Sequence, residues 1–497
     1  MFRYILSNLL VFIFLPVFIS VPSLCSLFFF TAPATTEIST LSLHDALPIY
    51  THFHWTRPIG YKLALRDGVT TAMDLEAGVY GPRINDWYAM HAGSSQLNYG
   101  TSSGHEFARS KVTQGLPDAD LLDAPYSVVK SRGAGTAWAE QVLTLEQGNA
   151  MLRLIDEDLR QGALGVASTV GYFPGATARE LYEVQRAGAH YGRVTSVHLR
   201  HTPGSATAEV NGAQEVIANA LALNAPVAIN HFNNPGWELV QELLMRLRAQ
   251  GHNVWGEIYP YAAGSTTINA AFLKPEVWVE KLGKTYEETM QNPLTGEFYT
   301  LESYQQVVAE APTTPVVLYK MDPAAISDWC RLSGVVIGSD ALMMPGGWND
   351  EPVWDTAFED IPNTHPRLAG SHGTCLRIAR ENNVPLMQIL AAASYNPAKY
   401  LGETGLEAMQ RRGRLQEGMV ADITLLDPAT VRDNATYVKG TLPTTGIPYV
   451  IVDGVVVVRD SRVLKDVNPA QPIRLTLEAL ARFEQLDMAA WKTRDCG

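Results

Sequence analysis

The chain has 497 residues, 46% of them hydrophobic and 18% charged, so it can bury a large core, and disordered or collagen-like classes are excluded. A formal net charge of −13 without clustered Lys and Arg argues against nucleic acid or an anionic membrane surface as partner and favours a small-molecule substrate. The four cysteines (Cys25, Cys330, Cys375, Cys496) show no CxxC spacing, so neither a disulfide framework nor a cysteine-rich zinc ribbon is expected.

In chain order, residues 4–30 form an apolar run behind Arg3 that has the shape of a secretory signal, although Pro16 and Pro22 interrupt it as a membrane span. Residues 28–49 (FFFTAPATTEISTLSLHDALPI) resemble a translated sequencing-adapter read-through. Residues 1–49 are therefore placed outside the fold, and cytoplasmic and exported locations stay open. From about residue 51 short β-branched runs alternate with amphipathic helical stretches. A first strand is expected just before His52, followed by VTTAMDLE (69–76), LNYG (97–100), ALGVAS (163–168), VTSVH (194–198), PVAINH (226–231), NVWGEIY (253–259) and VVIGSD (335–340). Between them the helical period is clear in WELVQELLMRLRAQG, where Trp237, Val240, Leu243, Leu244 and Leu247 share a face and Gly251 stands at the capping position.

Near-continuous apolar strands separated by helices imply a parallel sheet covered on its outside, and about eight such units close into a barrel. The expected fold is an α/β (β/α)8 TIM-type barrel over residues 50–410. A small β-sandwich-like domain follows over 411–475, from the short strands around GRLQEGMVADITLLDP and YVIVDGVVVV, and then a tail helix over 476–497. An open doubly wound sheet is the alternative, but no GxGxxG or phosphate-loop pattern follows any strand.

Glu76, His198, His231 and Asp340 each stand at the end of a predicted strand, which in a β/α barrel is the catalytic face. One strand-end histidine is ordinarily structural. Four such residues together with the pair His52-x-His54, whose side chains share one face of an extended strand, point to a metal centre. Imidazole and carboxylate are the nitrogen and oxygen donors that zinc accepts, and one or two zinc ions are the expected cofactor. Other histidines (His91, His105, His190, His201, His252, His365, His372) lack a strand-end position and are expected at the surface or as supporting groups, with His201 placed in a loop over the active face.

His52-x-His54, His198, His231 and Gly338-Ser339-Asp340 resemble the metal signature of the amidohydrolase superfamily, over essentially all of residues 51–470. More narrowly, GVTTAMDLEAG (68–78), NYG (98–100), YPYAAGST (259–266) and HPR (365–367) resemble the N-acyl-D-amino acid deacylases, and within them the D-glutamate deacylase branch. The resemblance implies hydrolysis of the amide of an N-acyl-D-amino acid, with Asp340 as general base and then general acid. It also implies Glu76 where better-known relatives use a cysteine, and no carboxylated lysine on the fourth strand. Tyr172 and Arg367 match positions used around the substrate's α-carboxylate, and Lys320 is available for a second carboxylate such as that of D-glutamate. Cyclic-amide hydrolysis of the hydantoinase or dihydroorotase kind is the competing enzymatic reading. A non-catalytic or misfolded product of a truncated gene is a reading of another class, because the suspect segment replaces an N-terminal contribution to the β domain and Tyr50 stands where relatives carry aspartate. No stable membrane partner is expected, and a homo-oligomer is compatible with the sequence.

Overall fold

The computed structural model of the chain describes residues 45–46, 48–79, 83–121, 124–202, 211–341 and 354–491. Eight parallel strands lie side by side in chain order: Ile49–Tyr50, Thr71–Val79, Asn98–Gly104, Gly165–Ser168, Val194–Val197, Val227–Ile229, Val254–Ile258 and Val336–Ile337. The ring is drawn together beyond the last strand, where Asp340 N donates to His52 O at 2.9 Å and His54 N to Ala341 O at 3.1 Å. Three expected metal ligands, His52, His54 and Asp340, thus sit on the seam.

Helices cover the barrel because their apolar stripes match it. Leu145–Arg160 starts with a capping box in which Thr144 and Gln147 satisfy each other's backbone N–H, and it buries Met151, Leu152, Ile155 and Leu159. Trp237–Ala249 buries Val240 and Leu244, and Gly251 beyond its end takes the left-handed conformation (φ 91°) that favours glycine. Cys330 and Cys375 are buried free thiols, while Cys25 and Cys496 lie outside the described residues.

Three expectations need correction. The boundary at residue 49 moves back, because Asp45–Ala46 pairs antiparallel with Ile423–Leu425 and Ile49 is buried in the barrel sheet. The apolar run at residues 4–30 remains outside the described residues. The small β domain is a five-stranded antiparallel sheet in the order Asp45–Ala46, Ile423–Leu425, Tyr449–Val452, Val455–Arg459, Arg462–Val463, so the edge expected to be bare is covered. Among the described residues, the tail after residue 476 is helical only at Met488–Trp491. Its backbone is engaged elsewhere: Glu478 N donates to Arg160 O, Arg482 N to Asp156 Oδ1 and Leu486 N to Asn149 Oδ1, which ties an extended strap along the helix Leu145–Arg160. These N–H groups are not free for helical bonds.

A second antiparallel sheet is inserted between the last two barrel strands, in the order Met290–Gln291, Pro315–Tyr319, Ala263–Thr267. It brings Lys320 and Ser265 to the catalytic face. Near the opposite end of the barrel, Asp67 joins three segments, accepting from Tyr50 Oη (2.8 Å), His372 N (2.8 Å), Gly373 N (2.9 Å) and Thr444 Oγ1 (2.6 Å). Tyr50 therefore has a structural partner of its own.

His372, expected at the surface or as a supporting group, is instead buried and stacked on Tyr50 at 4.4 Å between ring centroids. Neither ring nitrogen has a hydrogen-bond partner among the described residues, and burial pushes its pKa down to about 3. Between about pH 6.5 and 3 the unfolded chain binds a proton that the fold refuses, so stability is lost as pH falls through that window. At pH 4.5 the loss is roughly 2–3 kcal/mol. In urea unfolding, His372→Phe should narrow the stability gap between pH 7 and pH 4.5 by that amount, whereas an unchanged gap would mean that the ring accepts its proton within the fold.

Candidate metal centre

The strand ends converge. His52 and His54 follow the first strand on one face, and their Nε2 atoms lie 2.9 Å apart. His198 follows Val194–Val197, and His231 stands two residues beyond Val227–Ile229. His231 and Asp340 both adopt positive φ, 29° and 53°, which is strained backbone for residues other than glycine and is typical of functional positions. The turn aims their side chains inward and ends the strands early, so the ligands lie beyond the last ladder residue.

Glu76 is positioned differently from expectation. Its strand runs on to Val79, and the ladder to the next strand shifts register between Asp74 and Val79. Asp74 Oδ1 accepts from the backbone N–H of Glu76, Ala77 and Gly78 at 3.1, 2.9 and 3.1 Å, which fixes this irregularity. Gly78 is required there, since its φ is 68° and a Cβ would lie 2.4 Å from the carbonyl oxygen of Ser102.

The result is two donor groups sharing one carboxylate. His52, His54, Glu76 and Asp340 form the first, and Glu76, His198 and His231 the second, each with its donor atoms within 4.8 Å of one another. Glu76 Oε2 lies 3.1 Å from His52 Nε2 and 3.2 Å from His231 Nε2, while Oε1 lies 3.2 Å from His198 Nδ1. Asp340 Oδ1 is 3.3 Å from His52 Nε2 and 3.7 Å from His54 Nε2. Glu76 Oε2 is buried without a hydrogen-bond donor among the described residues, and such an atom is costly unless a cation satisfies it. The donors are nitrogen and oxygen throughout. This set fits one or two divalent ions of the zinc class.

Outer partners orient the imidazoles. Glu257 Oε1 lies 2.6 Å from His52 Nδ1, its other oxygen accepts from Thr51 Oγ1 at 2.8 Å, and Asp74 Oδ2 lies 2.9 Å from His54 Nδ1. With Nδ1–H donated to a carboxylate, each ring presents the Nε2 lone pair to the centre. Sequence reasoning missed Glu257, although a lone acid inside the apolar strand Val254–Ile258 was a usable signal. The charges are coupled accordingly: burial raises the Glu76 carboxyl, yet His52, His231 and His198 hold it well below its usual range. Asp340 is likewise raised by burial but held well below by Arg367 and His52.

The expected substrate residues meet different fates. Arg367, expected at a substrate carboxylate, donates Nη1 to Asp340 Oδ2 at 2.6 Å and Nη2 to Ser265 O at 3.2 Å, so its first partner is the proposed catalytic carboxylate. His365 supports it by accepting from Arg367 N and donating Nε2–H to Ala263 O at 2.9 Å. Tyr172 is buried, with its ring 4.4 Å from that of His198 and the Arg132 guanidinium 4.1 Å from its centroid. Lys320 is half-buried on the wall of a cavity of about 440 Å³ that also reaches His198, His201 and His231. Burial pulls its pKa down to about 8, with Arg367 and Lys284 acting in the same direction against Asp340.

Comparisons with known proteins bear on the fold. A profile of the amidohydrolase family matches residues 360–458. The D-aminoacylase of Alcaligenes xylosoxydans xylosoxydans is 27% identical over 334 residues, which is 63% of this chain and 62% of the relative. The N-acyl-D-glutamate deacylase of the same organism is 26% identical over 321 residues, 62% and 61% of the two chains. The chain thus spans about three fifths of the length of the curated relatives it matches. Among solved structures, a D-aminoacylase superposes with a TM-score of 0.65 at 23% identity, covering 86% of this chain and 88% of the other. The N-acyl-D-glutamate deacylase from Bordetella bronchiseptica, solved with zinc and a phosphonate inhibitor, gives 0.61 at 22% identity with the same coverage. A D-hydantoinase from Thermus gives 0.51 at 14%, covering 86% and 88%. These likenesses establish the barrel fold.

Proposed function

We propose that this chain, an amidohydrolase relative by profile and fold, is a metal-dependent hydrolase that cleaves the amide bond of N-acyl-D-amino acids to a carboxylate and the free D-amino acid. The carrying observation is Glu76, whose two oxygens join two imidazole groups beside Asp340, with His198 and His231 of the second group lining a cavity. The choice of N-acyl-D-amino acids is supported by the activities of the curated relatives, all of which are deacylases of that kind.

His52, His54, Glu76, His198, His231 and Asp340 would hold the ions. A bound zinc ion supplies Lewis acidity at the scissile carbonyl and lowers the pKa of a coordinated water. The protein's own part is proton handling and placement. Arg367 holds Asp340 Oδ2, which leaves Oδ1 facing His52 and His54 as the atom that takes a proton from the attacking water and returns it to the leaving nitrogen. An amide nitrogen leaves poorly without that proton. Lys320 borders the cavity where a substrate carboxylate would lie, Tyr172 packs on the ring of His198, and the ammonium of Lys320 suits the second carboxylate of an N-acyl-D-glutamate.

Lys320→Met is expected to raise KM for N-acetyl-D-glutamate by about 10-fold or more, with bound metal unchanged, because a half-desolvated charge pair is worth more than about 1.4 kcal/mol. Steady-state kinetics checks this. The function itself is tested by comparing N-acetyl-D-glutamate, its L-enantiomer, hydantoin and dihydroorotate. Turnover of the linear D-substrate is expected, and cleavage of only the cyclic compounds would replace the deacylase reading with the cyclic-amide one.

A further inference from the structure

The chemistry proposed above uses one end of the cavity. Along the wall Phe272 and Trp278 pack at 6.4 Å between centroids, and Tyr172, which does not line the cavity, links Phe272 (5.6 Å) to His198 (4.4 Å) in one aromatic row. Trp278 is buried and donates Nε1–H to Thr289 Oγ1 at 3.0 Å, so it backs the wall rigidly. Phe272 and Val277 are half-buried and Leu282 is 36% exposed, and all three turn apolar surface to the cavity. The volume of about 440 Å³ lies in the range of drug-sized ligands and leaves most of this wall wet if the occupant is only an N-acetyl amino acid. Cationic groups line the cavity too, Lys320 and Arg200 together with Lys281 and Lys284 on either side of Leu282 in sequence.

We infer that this aromatic row is an acyl-chain subsite, and that the preferred substrates carry a linear acyl chain of several carbons in place of acetyl. The inference rests on the deacylase reading of the preceding subsection. The acyl chain begins at the scissile carbonyl, which must lie at the metal centre, and the apolar row begins at the ring of a metal ligand. A chain leaving that carbonyl therefore meets Phe272, then Leu282 and Val277, while the carboxylates of the amino-acid half remain with Lys320. Burying each methylene on such a wall raises kcat/KM by about fourfold, the factor equivalent to ~0.8 kcal/mol.

The test uses the full chain loaded with zinc and a series of N-acetyl-, N-butyryl-, N-hexanoyl- and N-octanoyl-D-glutamates. The expected result is a kcat/KM that climbs severalfold per added methylene through hexanoyl, with the slope flattened in Phe272→Ala and in Leu282→Ser. The second variant lies at the surface and tolerates a polar side chain. Isothermal titration of the metal-free chain should also show octanoate binding more tightly than acetate, with the difference reduced in Phe272→Ala. A flat or falling chain-length profile with good turnover of the acetyl substrate would overturn the inference and leave the deacylase reading intact. A preference for apolar D-side chains on N-acetyl substrates, lost in Phe272→Ala, would assign the wall to the amino-acid half and overturn it equally. Absence of turnover throughout the series would remove both readings.

Discussion

Asp340→Asn is expected to cut kcat by about 10²–10⁴ while leaving most of the bound metal in place. Asparagine keeps the size of the side chain and one oxygen but cannot take the proton that the leaving nitrogen needs. The structure makes this variant informative because the two Asp340 oxygens have separate tasks, Oδ2 on Arg367 and Oδ1 beside His52 and His54. If the asparagine turns its amide nitrogen toward the histidines, a donor oxygen is lost and metal content falls with activity. Kinetics together with metal analysis therefore separate proton transfer from ligation. Near-normal turnover would remove Asp340 from the chemistry altogether.

Glu76→Ala should have the larger effect on metal. The side chain is buried between His52, His198 and His231 and belongs to both donor groups, so its loss leaves two incomplete sets, one of His52, His54 and Asp340 and one of His198 and His231. Metal affinity should drop by more than the ~10–100-fold that loss of an outer partner costs, and activity should fall with it. Glu257→Gln provides the comparison, since Glu257 reaches the donor groups through the far nitrogen of His52, and its cost should stay within that range. A Glu76→Ala protein holding metal as tightly as Glu257→Gln would mean that the carboxylate does not join the two groups.

Much of this arrangement is written in local sequence. His198 was legible because a β-branched run, VTSV, ends in a polar residue at the position where a barrel places its catalytic groups, and the same logic picked out His231 and Asp340. The exact end of each strand was not legible, because the left-handed turns at His231 and Asp340 depend on tertiary contacts such as Asp340 N on His52 O. Glu76 was identified as the end of a predicted strand, but that strand runs on to Val79, and its mid-strand register shift depends on Asp74 capturing three backbone N–H groups, which no periodicity reveals. Arg367 was assigned to the substrate through the family resemblance, and the fold supplies a carboxylate of its own in Asp340. The tail strap was read as a helix because its partners are side chains more than 300 positions away, at Asn149 and Asp156.

The most direct test of the metal centre is zinc-edge anomalous diffraction from crystals of the full chain grown with zinc. The account predicts a peak bounded by Glu76, His52, His54 and Asp340, or by Glu76, His198 and His231, or one in each place, at the ~2.0–2.2 Å ligand distances of zinc. A zinc-loaded crystal with no peak among these six residues, or a peak only on surface groups, would contradict it.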